Sequence, residues 1–198
     1  MRAVTTSIKH IAAEIERSGY VIVQQFLDDD ACAALAIECR ESPLQAAAIG
    51  RVSTRQERRD IRGDRTHWFE PRALTAAQMP YWQAMDALRI EFNRDLLLGL
   101  DELEAHYALY PPGARYARHR DRFRDDDARV LSSVLYLNPD WREEYGGQLR
   151  LYLPQNIHVD IYPNGGTLVL FLSADFEHEV LSATRERLSI AGWFRRRA

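Results

Sequence analysis

Three residues in the second half of the chain have the side chains needed to bind one metal ion. His119 and Asp121 are two residues apart, and His178 follows much later in the sequence. On a β-strand, residues i and i+2 point to the same side, so His119 and Asp121 can face one ion together. Two imidazoles and one carboxylate leave several coordination positions open, which indicates a catalytic centre such as non-haem iron rather than a closed structural zinc site.

A fourth residue, Arg187, supplies a cation near the end of the chain. It begins an alternating run over residues 187–194, and we expect it to point inward. A buried guanidinium requires an anion, and the carboxylate of a ligand fits its planar fork. Arg185 is the competing candidate, although its turn-like neighbours favour exposure to solvent. Tyr136 is either a core tyrosine or a second donor to the same carboxylate.

The composition is that of an ordinary globular protein, which we interpret as one domain over residues 1–198. Of these 198 residues, 46% are hydrophobic and 28% are charged, and the net charge is −3. These values favour neither nucleic acid nor a membrane as a partner. Cys32 and Cys39 lie about 10 Å apart along a predicted helix, which is too far for a disulfide and favours a reducing, cytoplasmic location.

The local patterns predict helices first and many short strands afterwards. Helices are predicted over residues 7–18, from Asp28–Asp30 to about residue 41, and over 75–98 with an interruption near Pro80, and a strand over 20–26. The later predicted strands are 104–110, 115–121, 129–138, 148–153, 157–162, 167–173, 178–182 and 187–195. We therefore predict an α+β fold, in which a double-stranded β-helix (a jelly-roll or cupin-like barrel) over 101–198 is buttressed by N-terminal helices within 1–100.

Several motifs occur together in the order of a known family, with one residue fewer between Tyr110 and Tyr116 and one more between Asp121 and Tyr136. They are Asp60-Ile61-Arg62-Gly63-Asp64-Arg65 with Trp68, Tyr110-Pro111 with Tyr116, Tyr136-Leu137-Asn138, Gly146-Gly147, and the stretch from His178 through Arg187 to Trp193. With the metal-binding residues, they make residues 55–196 resemble the Fe(II)- and 2-oxoglutarate-dependent dioxygenases. Within these enzymes the chain is similar to the prolyl hydroxylase domain group, which includes the animal hypoxia-inducible-factor prolyl hydroxylases and bacterial relatives.

This resemblance implies a role for each matching residue. His119, Asp121 and His178 would bind Fe(II), and Arg187 would hold the distal carboxylate of 2-oxoglutarate, helped by Tyr136. Other matching residues would surround the cosubstrate or the substrate. Tyr110, Val134, Leu149, Val180 and Trp193 would form the cosubstrate pocket, Arg62, Asp64 and Arg129 would lie near the substrate, and residues 47–64 would form a loop that closes over it. His106 replaces a methionine of the animal members, which predicts a more polar pocket.

The resemblance also implies an activity. The enzyme would hydroxylate an unactivated C–H bond with O2 while 2-oxoglutarate is decarboxylated to succinate and CO2, and ascorbate is a further candidate cofactor. The implied substrate is a prolyl residue of a protein. A translation factor is the first candidate, since the arginine-rich composition suggests a bacterial source.

Two alternatives stay open from the sequence, namely a small-molecule hydroxylase and a non-catalytic module that senses oxygen or 2-oxoglutarate. The arginine-rich segments do not predict RNA binding, because acidic residues interleave with them and no aromatic stacking pattern accompanies them. The sequence does not predict an oligomeric state.

Overall fold

The first two helices of the computed structural model begin and end at residues that favour those positions. Ser7 caps helix α1 (Ile8–Ser18) with its side chain, and Gly19 ends the helix with a φ of 77°. Asp28 caps helix α2 (Asp29–Glu41) in the same way. The structure describes residues 7–47, 61–122 and 127–197. Most of the predicted substrate loop, residues 48–60, therefore lies outside the described residues.

Two predicted elements differ from the structure. Helix α3 spans Gln78–Leu96 without the interruption predicted near Pro80. Pro80 lies in the first turn, where backbone N–H groups have no intrahelical partner, so its missing N–H breaks no hydrogen bond. The first strand ends at Val23 rather than at residue 26, because Gln25 turns the chain with a φ of 53°.

The strands alternate with turns along most of the described chain. They are β1 (Tyr20–Val23), β2 (Gln45–Ala46), β3 (Arg65–Trp68), β4 (Leu100–Tyr110), β5 (Tyr116–His119), β6 (Arg129–Tyr136), β7 (Leu149–Tyr152), β8 (His158–Ile161), β9 (Leu168–Leu172), β10 (His178–Val180) and β11 (Arg187–Arg196). Each strand predicted from residue 104 onward is present, with ends shifted by a few residues. No helix among the described residues is long and apolar enough to cross a membrane.

The strands form two antiparallel sheets that pack against each other. The large sheet has the order β1-β9-β6-β11-β4-β3-β2, and the small sheet has the order β5-β10-β7-β8. Between them lies a core with side chains from both sheets, which includes Ala108, Tyr136 and Phe171 from the large sheet and Leu149, Leu151 and Val180 from the small one. Two packed sheets with helices behind them are the predicted α+β jelly-roll fold.

The helices cover the other face of the large sheet. Helical residues such as Leu35 and Leu88 share a second core with Ile190 and Phe194 of β11. Because side chains alternate along a strand, the intervening residues of β11 face the opposite way. Arg187, Ser189, Ala191 and Trp193 line the cavity between the sheets. Strand β11 therefore separates the helical core from the candidate site.

Both cysteines lie on the buried face of α2. Cys32 and Cys39 are buried and free. Burial raises the pKa of the Cys32 thiol to about 11 and that of Cys39 to about 12, so neither forms a reactive thiolate near neutral pH.

Candidate active site

The residues predicted to bind a metal converge between two strands of the small sheet. His119 ends β5, Asp121 follows it, and His178 begins β10, where it is paired directly with His119. The Nε2 atoms of His119 and His178 each lie 3.5 Å from one carboxylate oxygen of Asp121. All the possible ligand atoms lie within 4.8 Å of one another. The three side chains can therefore reach a single ion.

The two imidazoles are oriented by contacts on their far sides. His119 Nδ1 lies 2.8 Å from the carbonyl oxygen of Ala117, and its ring stacks on Tyr116 with centroids 3.6 Å apart. His178 Nδ1 lies 3.5 Å from the carbonyl oxygen of Phe176. A proton on Nδ1, directed at a carbonyl, leaves the lone pair of Nε2 available to a metal.

The electrostatics of the site favour the metal-binding protonation states. Burial lowers the pKa of His178 to about 4, although Asp121 opposes this shift. Burial disfavours the Asp121 carboxylate, but the two histidines and the Ser132 hydroxyl outweigh it and hold the pKa of Asp121 well below its usual range. At neutral pH the site therefore offers a neutral His178 imidazole and an anionic carboxylate.

Arg187 is buried beside the metal-binding residues with part of its guanidinium unpaired. Nε donates to the carbonyl oxygen of Gly147 at 2.9 Å, and Nη1 donates to Ser189 Oγ at 3.3 Å. Arg187 is only 1% exposed, and its Nη2 has no partner among the described residues. Arg185, by contrast, is exposed and packs on Trp141. The cavity therefore contains a buried cation for which the described residues supply no anion.

Tyr136 provides a second unpaired donor next to Arg187. Its ring centroid lies 5.0 Å from Arg187 Cζ, and its buried hydroxyl has no partner among the described residues. Burial raises the pKa of Tyr136 to about 12, although the Arg187 cation opposes this shift, so the hydroxyl keeps its proton. A ligand with a carboxylate would satisfy both groups at once.

The residues predicted to form the pocket lie around the same cavity. Tyr110, Val134, Leu149, Val180 and Trp193 line it together with the metal-binding residues and Arg187. Four of them are at least nine-tenths buried, and Val134 is partly exposed. Apolar walls around a few converging polar groups are typical of small-ligand sites.

The three residues predicted to contact the substrate have different surroundings. Arg62 lines the cavity and binds both carboxylate oxygens of buried Asp64, at 2.7 and 2.9 Å. Asp64 is therefore placed to orient Arg62. Arg129 lies over the ring of Trp193 at 3.8 Å, and its Nε donates to Glu104. Their roles toward a substrate stay predictions.

His106 also lines the cavity, where it packs against the Trp193 ring. Burial, together with the Arg62 guanidinium, lowers the pKa of His106 to about 4, so its ring is neutral at neutral pH. At neutral pH, His106 therefore gives the pocket a polar side chain that carries no charge.

The sequence analysis missed Ser132, Ser189 and the Gly147 carbonyl. Ser132 donates to Asp121, and the other two accept hydrogen bonds from Arg187. Ser132 has the same strand parity as Tyr136, and Ser189 the same parity as Arg187, so alternation alone places both toward the cavity. Ser189 bonds to Arg187 only two residues away, but the partners of Ser132 and Gly147 are 11 and 40 residues away, and no local pattern identifies those two contacts.

Comparisons with known proteins identify the family of this chain. The sequence model of the family described as "2OG-Fe(II) oxygenase superfamily" matches residues 105–195. The crystal structure of a Pseudomonas putida prolyl-4-hydroxylase is 45% identical in sequence, and the match covers 97% of this chain and 100% of that one with a TM-score of 0.89. The chain belongs to the prolyl hydroxylases of the 2OG-Fe(II) oxygenase superfamily. The family resemblance predicted from the motifs is thus confirmed.

Two more distant relatives match nearly the whole chain. One is a prolyl hydroxylase in complex with a hypoxia inducible factor oxygen degradation domain peptide fragment from Trichoplax adhaerens. It is 26% identical with a TM-score of 0.84, and the match covers 95% of this chain and 88% of that one. Egl nine homolog 1 of Homo sapiens is 27% identical over 206 residues, which are 97% of this chain and 47% of the human protein. The chain therefore spans about half the length of that relative.

The family identifies the groups that the site binds, and the residues fit them. The enzyme is a 2-oxoglutarate-dependent dioxygenase that uses Fe(II), 2-oxoglutarate and O2. Two imidazoles and one carboxylate with open positions are the ligand set of non-haem Fe(II) oxygenases. The unpaired donors of Arg187 and Tyr136 suit a carboxylate of 2-oxoglutarate.

Proposed function

We propose that this dioxygenase hydroxylates a prolyl residue of a protein, using iron held by His119, Asp121 and His178 and 2-oxoglutarate held by Arg187. The observation that supports it most directly is the pairing of a possible three-residue metal site with a buried guanidinium that has no anion among the residues that the structure describes. A buried unpaired charge is costly, so its presence beside a metal site favours a ligand that carries the missing negative charge.

The side chains around the cavity have distinct tasks in this proposal. When bound, Fe(II) and 2-oxoglutarate supply the oxidising chemistry that activates O2. Arg187 and Tyr136 would fix the distal end of 2-oxoglutarate, and so orient its other end toward the metal-binding residues. Leu149 and Val180 would exclude water from the apolar part of the pocket. Tyr110 would close the side of the pocket over the guanidinium, since its ring lies 5.0 Å from Arg187 Cζ.

A protein substrate is supported by the relatives and by the rim of the cavity. The Trichoplax adhaerens relative binds a peptide fragment, and the Pseudomonas putida relative is a prolyl-4-hydroxylase. In this chain Trp68 is 40% exposed and lies near Trp193, with ring centroids 6.1 Å apart. Exposed aromatic rings offer a rigid apolar surface on which a prolyl ring can pack.

The test is a comparison of turnover with and without prolyl substrates. Purified enzyme is incubated with Fe(II), 2-oxoglutarate and ascorbate, and succinate is measured alone and with proteome fractions from cells that lack the enzyme. We expect slow uncoupled succinate formation that rises with a protein fraction, and mass spectrometry should find one added oxygen on a proline. Components of translation are the first fractions to examine.

The outcomes separate the alternatives. Succinate formation that rises only with the small-molecule fraction would assign a small-molecule hydroxylase. No succinate under any condition, despite bound 2-oxoglutarate, would support a sensing module instead. Omission of ascorbate tests whether this enzyme needs that reagent.

A further inference from the structure

Two buried serines form a hydrogen-bonded chain that ends on Asp121. Ser132 Oγ donates to Asp121 Oδ2 at 2.7 Å, and it lies 2.9 Å from Ser173 Oγ. Ser132 is 1% exposed and Ser173 is fully buried. Ser132 lies on β6 and Ser173 follows β9, and both strands belong to the large sheet. Asp121 follows β5 of the small sheet, so the two serines connect the large sheet to a metal-binding residue on the opposite side of the cavity.

The direction of this chain follows from the number of protons available. A carboxylate only accepts hydrogen bonds, so the single hydroxyl proton of Ser132 is used on Asp121. Ser173 must then donate its own proton to Ser132. The bond to the charged carboxylate is the stronger of the two, and the bond from Ser173 polarises it further.

We propose that Ser132 and Ser173 are positioning residues that hold the Asp121 carboxylate in the orientation in which it can bind the metal together with the two histidines. This inference rests on the proposed iron site. Ser132 donates to Oδ2, which lies 3.5 Å from His178 Nε2, while Oδ1 lies 3.5 Å from His119 Nε2. A carboxylate released from Ser132 can rotate away from the position that it shares with the two imidazoles, and metal affinity should fall as a result.

Ser133 is a matched control on the same strand. It is also 1% exposed, and its hydroxyl has no partner among the described residues. Ser133 borders the cavity, but its hydroxyl lies toward the helical side, since a Cβ placed on Gly192 would lie 3.0 Å from Ser133 Oγ and 3.2 Å from the Tyr81 hydroxyl. Ser133→Ala removes the same atom at the same burial without touching Asp121.

The experiment measures metal binding without turnover. Metal-free wild type, Ser132→Ala, Ser132→Thr and Ser133→Ala are titrated anaerobically with Fe(II) against a chromogenic chelator, after circular dichroism has verified folding. We expect Ser132→Ala to weaken Fe(II) binding roughly 10- to 100-fold, as for other groups that orient metal-binding residues. Ser132→Thr keeps a hydroxyl donor and should recover most of the loss, and Ser133→Ala should bind like wild type. The visible spectrum of the Co(II)-loaded proteins should change only for Ser132→Ala.

The order of the chain is tested by a double mutant. Ser173→Ala should have a smaller effect than Ser132→Ala, and the double variant should bind Fe(II) no more weakly than Ser132→Ala, because Ser173 acts through Ser132. Additive losses, an unchanged affinity of Ser132→Ala, or an equal loss in Ser133→Ala would overturn the inference. If the wild type binds Fe(II) but forms no succinate, the proposed function is contradicted. The Fe(II) affinities of the serine variants still test the positioning role of Ser132 and Ser173 in that case.

Discussion

Replacing Arg187 with methionine should separate 2-oxoglutarate binding from the stability of the ligand-free protein. The guanidinium uses Nε on Gly147 and Nη1 on Ser189, and it leaves Nη2 for a ligand. A hydrogen bond to a charged group contributes about 1.5–3 kcal/mol. Its loss should raise the dissociation constant of 2-oxoglutarate by roughly 10- to 150-fold.

The stability of the ligand-free protein should change much less. The variant loses two hydrogen bonds, but it also loses a buried charge for which the described residues provide no carboxylate partner. Removing a buried charge often offsets the bonds that are lost with it, so we expect a change within about 1 kcal/mol.

Thermal unfolding over a series of 2-oxoglutarate concentrations measures both quantities at once. Without the ligand, the midpoint of the variant should lie near that of wild type. With it, wild type should gain stability in proportion to the logarithm of ligand concentration, and the variant should need a roughly 10- to 150-fold higher concentration for the same gain. Arg185→Met is the control, since Arg185 is exposed on Trp141 and Tyr145. If Arg187→Met bound 2-oxoglutarate within about threefold of wild type, or if Arg185→Met lost that affinity, the assigned register of β11 would be wrong.

Three further predictions concern other residues of the cavity. Tyr136→Phe should weaken 2-oxoglutarate binding about fivefold, because one hydrogen bond of about 1 kcal/mol is lost. Calorimetry measures the affinity, and an unchanged value would show that the Tyr136 hydroxyl does not contact the ligand. Asp121→Ala should abolish succinate formation and Fe(II) retention. Metal analysis after anaerobic gel filtration measures the retained iron, and full iron content would contradict a metal-binding role for Asp121. His106→Met should remove a pH dependence of stability. Burial lowers the pKa of His106 from 6.5 to about 4, so the unfolded chain takes up its proton first as the pH falls. Between about pH 7 and pH 5, the free energy of unfolding of the wild type should therefore fall by about 2 kcal/mol more than that of the variant. Urea unfolding of the metal-free proteins measures it, and an equal dependence of the two unfolding free energies on pH would refute the prediction.

Strand alternation explains why much of the site could be predicted from the sequence. His119 and Asp121 share one parity, and so do Arg187 and Trp193, so each pair reaches the cavity once the strands form. The resemblance of the motifs then gave the roles, because the same residue types recur at the spacing of a known family. Neither argument depends on tertiary detail.

The parts that could not be predicted depend on contacts between distant segments. Ser173 reaches Ser132 across neighbouring strands, and the Gly147 carbonyl reaches Arg187 from a turn forty residues earlier. Asp64 matched a family motif, but only the structure shows both its oxygens bound to Arg62. The error at Pro80 was local, because the true start of α3 decides whether a proline interrupts a helix or fits its first turn.

The position of β11 has a consequence for the synthesis of the protein. This strand is made after all the others described, yet it pairs with β4 on one side and β6 on the other. Until its residues leave the ribosome, the edges of β4 and β6 that face the centre of the large sheet have no partner strand. Such edges attract other chains, and pairing over long sequence separations is slow. The sheet therefore closes only after translation has passed residue 196, and the pocket acquires its buried cation in that same late step.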